Sequence, residues 1–188
     1  MVDKDTAALF FAILTVVVDA FAIATVLTVA VAKAAPRSAL AARASAARAT
    51  LAPDALWAAA LVALVAMLGS LYLSEIAHYP PCKLCWYQRI AMYPLSLILA
   101  IAAWTRDRRV VRYVLPITLI GGAISLYHYQ LERFPTQHSL SCARDVPCTT
   151  VWIWKLHYIS IPMMALSAFA AIAILVLIAS NVAQGEHP

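Results

Sequence analysis

Cys82 and Cys85 stand two residues apart in Pro80-Pro81-Cys82-Lys83-Leu84-Cys85-Trp86-Tyr87-Gln88-Arg89. Cys142 and Cys148 stand five apart in Ser141-Cys142-Ala143-Arg144-Asp145-Val146-Pro147-Cys148, and these are all four cysteines of the chain. Paired thiols carry two electrons as they cycle between dithiol and disulfide, each exchange being thiolate attack on a disulfide sulfur. Four cysteines allow three connectivities. The local one joins Cys82 to Cys85 and Cys142 to Cys148. Such short rings restrict an unfolded chain little, so stapling the fold is a poor reason for them. A two-residue spacer is instead the arrangement of redox-active thiols.

Pro80-Pro81 closes an extended stretch, and an apolar helical pattern begins just after it, so Cys82 and Cys85 belong at a helix N-terminus. Unpaired N–H groups and the helix dipole there favour a thiolate over a thiol. Arg89, one turn beyond Cys85, projects on the same face. Its guanidinium suits both a thiolate and the carbonyl oxygen of an acceptor. The plainer reading is a snorkelling arginine at a membrane boundary. Trp86 and Tyr87 suit either an interfacial aromatic belt or stacking on a flat ring. Lys83, Arg144 and Lys155 are further cations near the thiols.

The elements that must position these groups are apolar. The 188 residues are 64% hydrophobic and 12% charged, outside the range of a soluble globular domain. The net charge of +5 is spread between the apolar runs rather than interleaved with aromatics, which argues against nucleic-acid binding. Five stretches reach the length of about 20 residues needed to cross a bilayer. They run from Ala7 to Ala32, Ala55 to Ile76, Trp86 to Trp104, Tyr113 to Tyr129 and Ile159 to Asn181. Each must be helical, because lipid offers no partner to an exposed backbone. Gly121-Gly122 in the fourth would let a neighbour approach closely.

The expected architecture is an all-α membrane protein. Residues 1–33 form an extra N-terminal transmembrane helix, and 34–54 a basic linker that is either flexible or an interfacial helix. Residues 55–181 form a four-helix transmembrane bundle, and 182–188 a tail. Lys33, Arg37, Arg43 and Arg48 follow the first span, and Arg106, Arg108, Arg109 and Arg112 follow the third. The positive-inside rule puts both groups in the cytoplasm, with the N-terminus and both cysteine stretches outside and the C-terminus inside. The leader Val2-Asp3-Lys4-Asp5 lacks the net positive charge of a signal peptide, so the first span is expected to be retained. Asp19, in mid-span, is expected to be protonated or internally paired. Glu75, near the CxxC, is the better candidate for handling protons. His78, His128, His138 and His157 fall around the outer loops, with His128 the one that could approach the site.

Cys-x-x-Cys-Trp-Tyr-Gln-Arg at a span's start resembles the motif of the disulfide bond formation protein B (DsbB) family, most closely its short BdbC-type branch. Gly69-Ser70-Leu71-Tyr72, Ser74-Glu75, Arg89-Ile90-Ala91-Met92-Tyr93-Pro94-Leu95, Ser125-Leu126-Tyr127-His128-Tyr129, Val146-Pro147-Cys148-Thr149 and Ile161-Pro162 extend the likeness from about Ala55 to Ala179. The resemblance implies a bundle in the bacterial inner membrane that reoxidises a soluble DsbA-like thioredoxin-fold oxidase and passes its electrons to ubiquinone or menaquinone. It implies that Cys82 and Cys85 are the quinone-coupled pair, with Cys85, Arg89 and Trp86 at the quinone. Cys142 would form the mixed disulfide with the soluble partner and Cys148 would resolve it. The short second spacer and the first span depart from the family pattern.

Two other readings use the same residues. A zinc site could recruit all four cysteines, but leaves Arg89 without a purpose. A vitamin K epoxide reductase-like enzyme also couples a loop pair to a membrane CxxC, but in that family the loop pair comes first in sequence.

Overall fold

Apolar runs of 20 or more residues with few interruptions become helices, and the computed structural model, which describes residues 4–137, 142 and 146–181, contains six. They are α1 (Lys4–Ala34), α2 (Ala39–Leu51), α3 (Ala55–Leu71), α4 (Lys83–Thr105), α5 (Val111–Arg133) and α6 (Ile161–Asn181). All but α2 are long and apolar enough to span a membrane. The chain is therefore an all-α membrane protein in which one extra helix precedes a four-helix bundle. Ile90, Leu97 and Leu119 are more than 60% exposed on its flanks, as suits a surface facing lipid rather than water. Among the described residues the β-type pairing is one isolated bridge between Lys155 and Ile159. The proposed tail, 182–188, lies outside the described residues.

Around the bundle, α3 packs on α4 and α6, and α5 completes the ring by packing on α4 and α6. Small side chains permit the close approach. Ala55, Ala59 and Ala63 of α3 are buried, and Leu95 and Leu99 of α4 share their core with Phe169 and Ile172 of α6. Gly121 of α5 meets the Phe169 ring, so the expected close approach occurs there. Pro162 sits at the start of α6, whereas Pro94 lies in the middle of α4, which begins three residues earlier than the apolar run suggests.

The linker is helical: Ser38 caps α2 by accepting from the Ala41 N–H at 3.1 Å. Helix α2 packs against α1 and α6. Helix α1 itself runs along α6. Lys155 Nζ meets Asp5 at 2.9 Å, and Tyr158 donates to Asp19 Oδ2 at 3.4 Å, which gives the mid-span carboxylate the internal partner expected for it.

The path of the chain brings the ends of α3 and α5 and the starts of α4 and α6 to one end of the bundle. Both cysteine segments occur there, and the arginine-rich turn between α4 and α5 occupies the opposite end.

An added Cβ at Gly121 would lie under 3.0 Å from three ring atoms of the buried Phe169, while at Gly122 it would meet ordinary van der Waals neighbours. Overpacking costs about 1–3 kcal/mol, against a helix-propensity gain of up to ~1 kcal/mol for Gly→Ala. Gly121→Ala should therefore lower the thermal unfolding midpoint in detergent and Gly122→Ala should not. Equal midpoints for the two variants would contradict this packing.

Candidate functional site

Helix α4 begins at the first cysteine pair. Cys82 has extended backbone and caps the helix, its Sγ accepting from the Cys85 N–H at 3.4 Å. A thiol thereby takes the place of the usual Ser or Asp oxygen in satisfying a helix-end donor. The two sulfurs lie 3.1 Å apart and unbonded. A disulfide requires about 2.05 Å. The pair expected as a disulfide is thus seen here as a dithiol with the sulfurs in contact.

The first turn of α4 sends these thiols in different directions. Cys82 is buried in one apolar cluster with Leu84, Leu131 and Cys148, against which Cys85, Cys142 and Val146 pack. Cys142 and Cys148 are bonded to each other, Cys148 fully buried and Cys142 half-buried. Cys85 instead lines a cavity of about 310 Å³ bounded by α1, α3, α4 and α6. Cys85, Gln88 and Arg89 of α4 and Ser70 of α3 supply polar groups to an otherwise largely apolar lining.

Arg89 is held firmly. Its Nε donates to Ser70 Oγ and its Nη2 to the Ser70 carbonyl, both at 3.0 Å. Tyr93 O–H donates to the same Ser70 hydroxyl at 3.3 Å. Ser70 precedes the π-helical turn Tyr72–Ile76 that ends α3, and widened turns of this kind recur at functional sites. The guanidinium also lies 5.2 Å from the centre of the Trp86 ring. Trp86 does not line the cavity. It is half-exposed, with its ring against Arg89.

His128 of α5 approaches from the other side. Its Nε2 lies 3.5 Å from Cys82 Sγ and its Nδ1 lies 3.4 Å from Gln88 Nε2. A Gln88 amide donating to Nδ1 places the ring proton on Nε2, facing the sulfur. A hydrogen bond from the Cys85 thiol holds Cys82 well below the ordinary thiol range; burial opposes the shift and His128 reinforces it. Cys82 is therefore the thiolate of the pair.

The other sequence candidates fall as follows. Glu75 is exposed and bonded to its neighbour Ser74, so it is not the buried acid near the pair. Glu132, one turn beyond His128, is that acid, and its Oε2 has no hydrogen-bond partner. The spacing of four along Tyr127-His128-Tyr129-Gln130-Leu131-Glu132 was the available signal for it. His78 and His157 are exposed, Lys83 points outward, and Lys155 is taken up by Asp5. His138 and Arg144 lie outside the described residues. The four-cysteine zinc site is not formed, since Cys142 and Cys148 bond to each other. The donor atoms of Cys82, Cys85 and His128 do lie within 4.8 Å of one another.

The family model described as disulfide bond formation protein DsbB matches residues 48–179. A "Disulfide bond formation protein C" of Bacillus subtilis (strain 168) is 51% identical over 120 residues, covering 63% of this chain and 87% of its own. A "Probable disulfide formation protein C" of Halalkalibacterium halodurans is 52% identical over 116 residues, covering 61% of this chain and 84% of its own. A "Probable disulfide formation protein" of Coxiella burnetii is 41% identical over 115 residues, covering 60% and 78%. No solved structure matches the chain.

A thiol whose pKa is lowered stays ionised until acid passes through the lowered value. Alkylation of Cys82 by iodoacetamide, read by peptide mapping on the reduced protein, should therefore persist at about pH 6, where an ordinary thiol has lost nearly all reactivity. His128→Phe should move the profile toward higher pH. A profile of ordinary thiol midpoint in the unsubstituted protein would refute the arrangement.

Proposed function

Because the chain belongs to the DsbB family of disulfide bond formation proteins, and is thereby a multi-pass membrane disulfide oxidoreductase, we propose that it oxidises a soluble thioredoxin-fold thiol oxidase at the expense of a membrane quinone. The carrying observation is the division of labour within one CxxC. Cys85 shares a largely apolar cavity with Arg89, while Cys82 is buried beside Cys148.

The cavity fits a flat apolar acceptor with carbonyl oxygens. Its volume of about 310 Å³ falls in the range of small-molecule sites. Arg89 spends Nε and Nη2 on Ser70, which leaves Nη1 to donate to a carbonyl oxygen at the cavity. A quinone, when bound, supplies a two-electron, two-proton acceptor that leaves as quinol. Arg89 orients it, and Cys85 presents its sulfur to the same space.

The thiol steps follow from accessibility. A partner thiolate attacks the half-buried Cys142, displacing Cys148 as thiolate, and the partner's second thiol attacks the mixed disulfide and releases Cys142. The partner leaves oxidised and Cys142–Cys148 reduced. Cys148 then attacks Cys82 of an oxidised first pair, and Cys85 leaves as thiolate toward the cavity. Attack of Cys142 on Cys148 frees Cys82 and restores the outer disulfide. The pairing that results, with Cys142 bonded to Cys148 and Cys82 and Cys85 reduced, has the same bonds as the structure, which supports this order of steps. His128, at Cys82 Sγ, steadies that sulfur whenever it carries charge. The positive-inside rule places the cysteine end outside the membrane and the arginine-rich end in the cytoplasm.

Purified protein, decylubiquinone and a reduced thioredoxin-fold oxidase should bleach the quinone absorbance. Cys82→Ser and Cys142→Ser should each abolish turnover, and Arg89→His should raise the quinone KM about tenfold or more, as loss of a charge-assisted hydrogen bond would. An unchanged KM in Arg89→His would remove the acceptor from this cavity. In the Cys85→Ser/Cys142→Ser double variant, the two remaining thiols should form a Cys82–Cys148 disulfide on mild oxidation, detectable by non-reducing peptide mapping.

A further inference from the structure

Helix α1 lies outside the residues that match the family model, 48–179, yet it forms one side of the cavity that holds Cys85 and Arg89. Phe11, Leu14, Thr15 and Val18 all line that cavity. Their spacing of three, four and seven makes one stripe on a helix. The opposite face, with Phe10, Ile13 and Val17, is exposed as a lipid-facing surface would be. Across the cavity from the stripe, α3 contributes Leu61 and Val65.

Three contacts hold α1 in this position. Asp5 pairs with Lys155 near its start, and Asp19 accepts from Tyr158 further along. Phe11 spans the gap to α3, where the missing side chain of Gly69 makes room for its ring; a Cβ there would lie 2.9 Å from the ring edge. Thr15 is buried and its hydroxyl donates to the Phe11 carbonyl at 2.8 Å, so the polar atom is satisfied within the helix. The wall that α1 offers the cavity is therefore apolar and fixed in register. Both anchoring partners, Lys155 and Tyr158, lie in the segment that leads from the second cysteine pair into α6.

Resting on the reading that a quinone occupies this cavity, we propose that α1 is a wall of the acceptor site, and that Leu14, Thr15 and Val18 set how tightly a quinone head group and the first part of its tail are held. The helix closes the side of the site that would otherwise open between α3 and α6 to the hydrocarbon. These residues contribute binding and selectivity and take no part in the thiol exchange.

The test is photolabelling of the intact protein in lipid nanodiscs with an azido-substituted, short-tailed benzoquinone, followed by peptide mapping. Labels displaceable by decylubiquinone should appear between residues 11 and 18 as well as on α3 and α4. Val18→Trp, which fills the cavity, should reduce displaceable labelling about tenfold or more, while Val17→Trp on the exposed face should leave it unchanged. Quinone-free exchange with a reduced thioredoxin-fold oxidase should stay within about twofold of the unsubstituted protein in both variants, since the thiols are untouched. Displaceable labels confined to α3 and α4, or equal labelling of the two variants, would overturn the role of α1 and leave the quinone reading standing. Absence of any displaceable label in the unsubstituted protein would overturn both. Should Val18→Trp fail to fold, the map of the unsubstituted protein decides by itself.

Discussion

A helix start leaves four N–H groups without helical partners, and here the group that answers one of them is a thiol. Cys82 caps α4, and this fixes the geometry of everything around it. With the first cysteine at the cap and the second on the first turn, the sulfurs touch while their open sides diverge. One turn later the same helix carries Arg89 to the cavity side. A single cap thus sets which sulfur meets the second disulfide and which meets the cavity. Shifting the helix start by one residue would rotate the pair by about a quarter turn and bring neither sulfur to its neighbour.

Placing a guanidinium, an amide and an imidazole near the end of a membrane bundle is costly unless each is bonded. The two ends of the site solve this separately. On the cavity side, Arg89 is held by Ser70 twice and by the Trp86 ring. On the α5 side, Gln88 and His128 bond each other and His128 reaches Cys82. Because Gln88 and Arg89 are sequence neighbours, the two networks are coupled through one turn of backbone. Their rigidity suits thiol exchange, in which small displacements of sulfur decide whether a bond forms.

The spans, the helix start at the cysteine pair and the face shared by Cys85 and Arg89 were legible because each is a local pattern, read from hydropathy or from spacings under one or two turns. The partners were not. Ser70 lies 19 positions from Arg89, His128 lies 46 from Cys82, and Tyr158 lies 139 from Asp19. No periodicity in one segment encodes such pairs. Glu75 and Trp86 are near the thiols in sequence, yet Glu75 is exposed beside Ser74 on the π-helical turn and Trp86 is half-exposed with its ring on Arg89, placements that spacing alone does not encode. Glu132 went unnoticed because a single acid at the end of an apolar span reads as a solvated terminus, whereas packing buries it.

The extra helix adds a wall to a cavity that the four-helix bundle does not line by itself. Four helices packed as a ring bury Ala55, Ala59, Leu95, Leu99 and Phe169 in their shared core. The cavity that holds Cys85 and Arg89 lies at the edge of that ring, with walls from α3, α4 and α6 and from α1 outside it. Such an edge cavity is open to lipid by construction. A further helix laid along α6 converts the groove to a walled site without disturbing the core, and needs only an apolar stripe and a few anchors to do so. The anchors found, Asp5 to Lys155 and Asp19 to Tyr158, attach it to the segment between the second disulfide and α6. The wall of the cavity and the segment leading from the second cysteine pair are in this way mechanically joined, although the four sulfurs themselves lie on other elements.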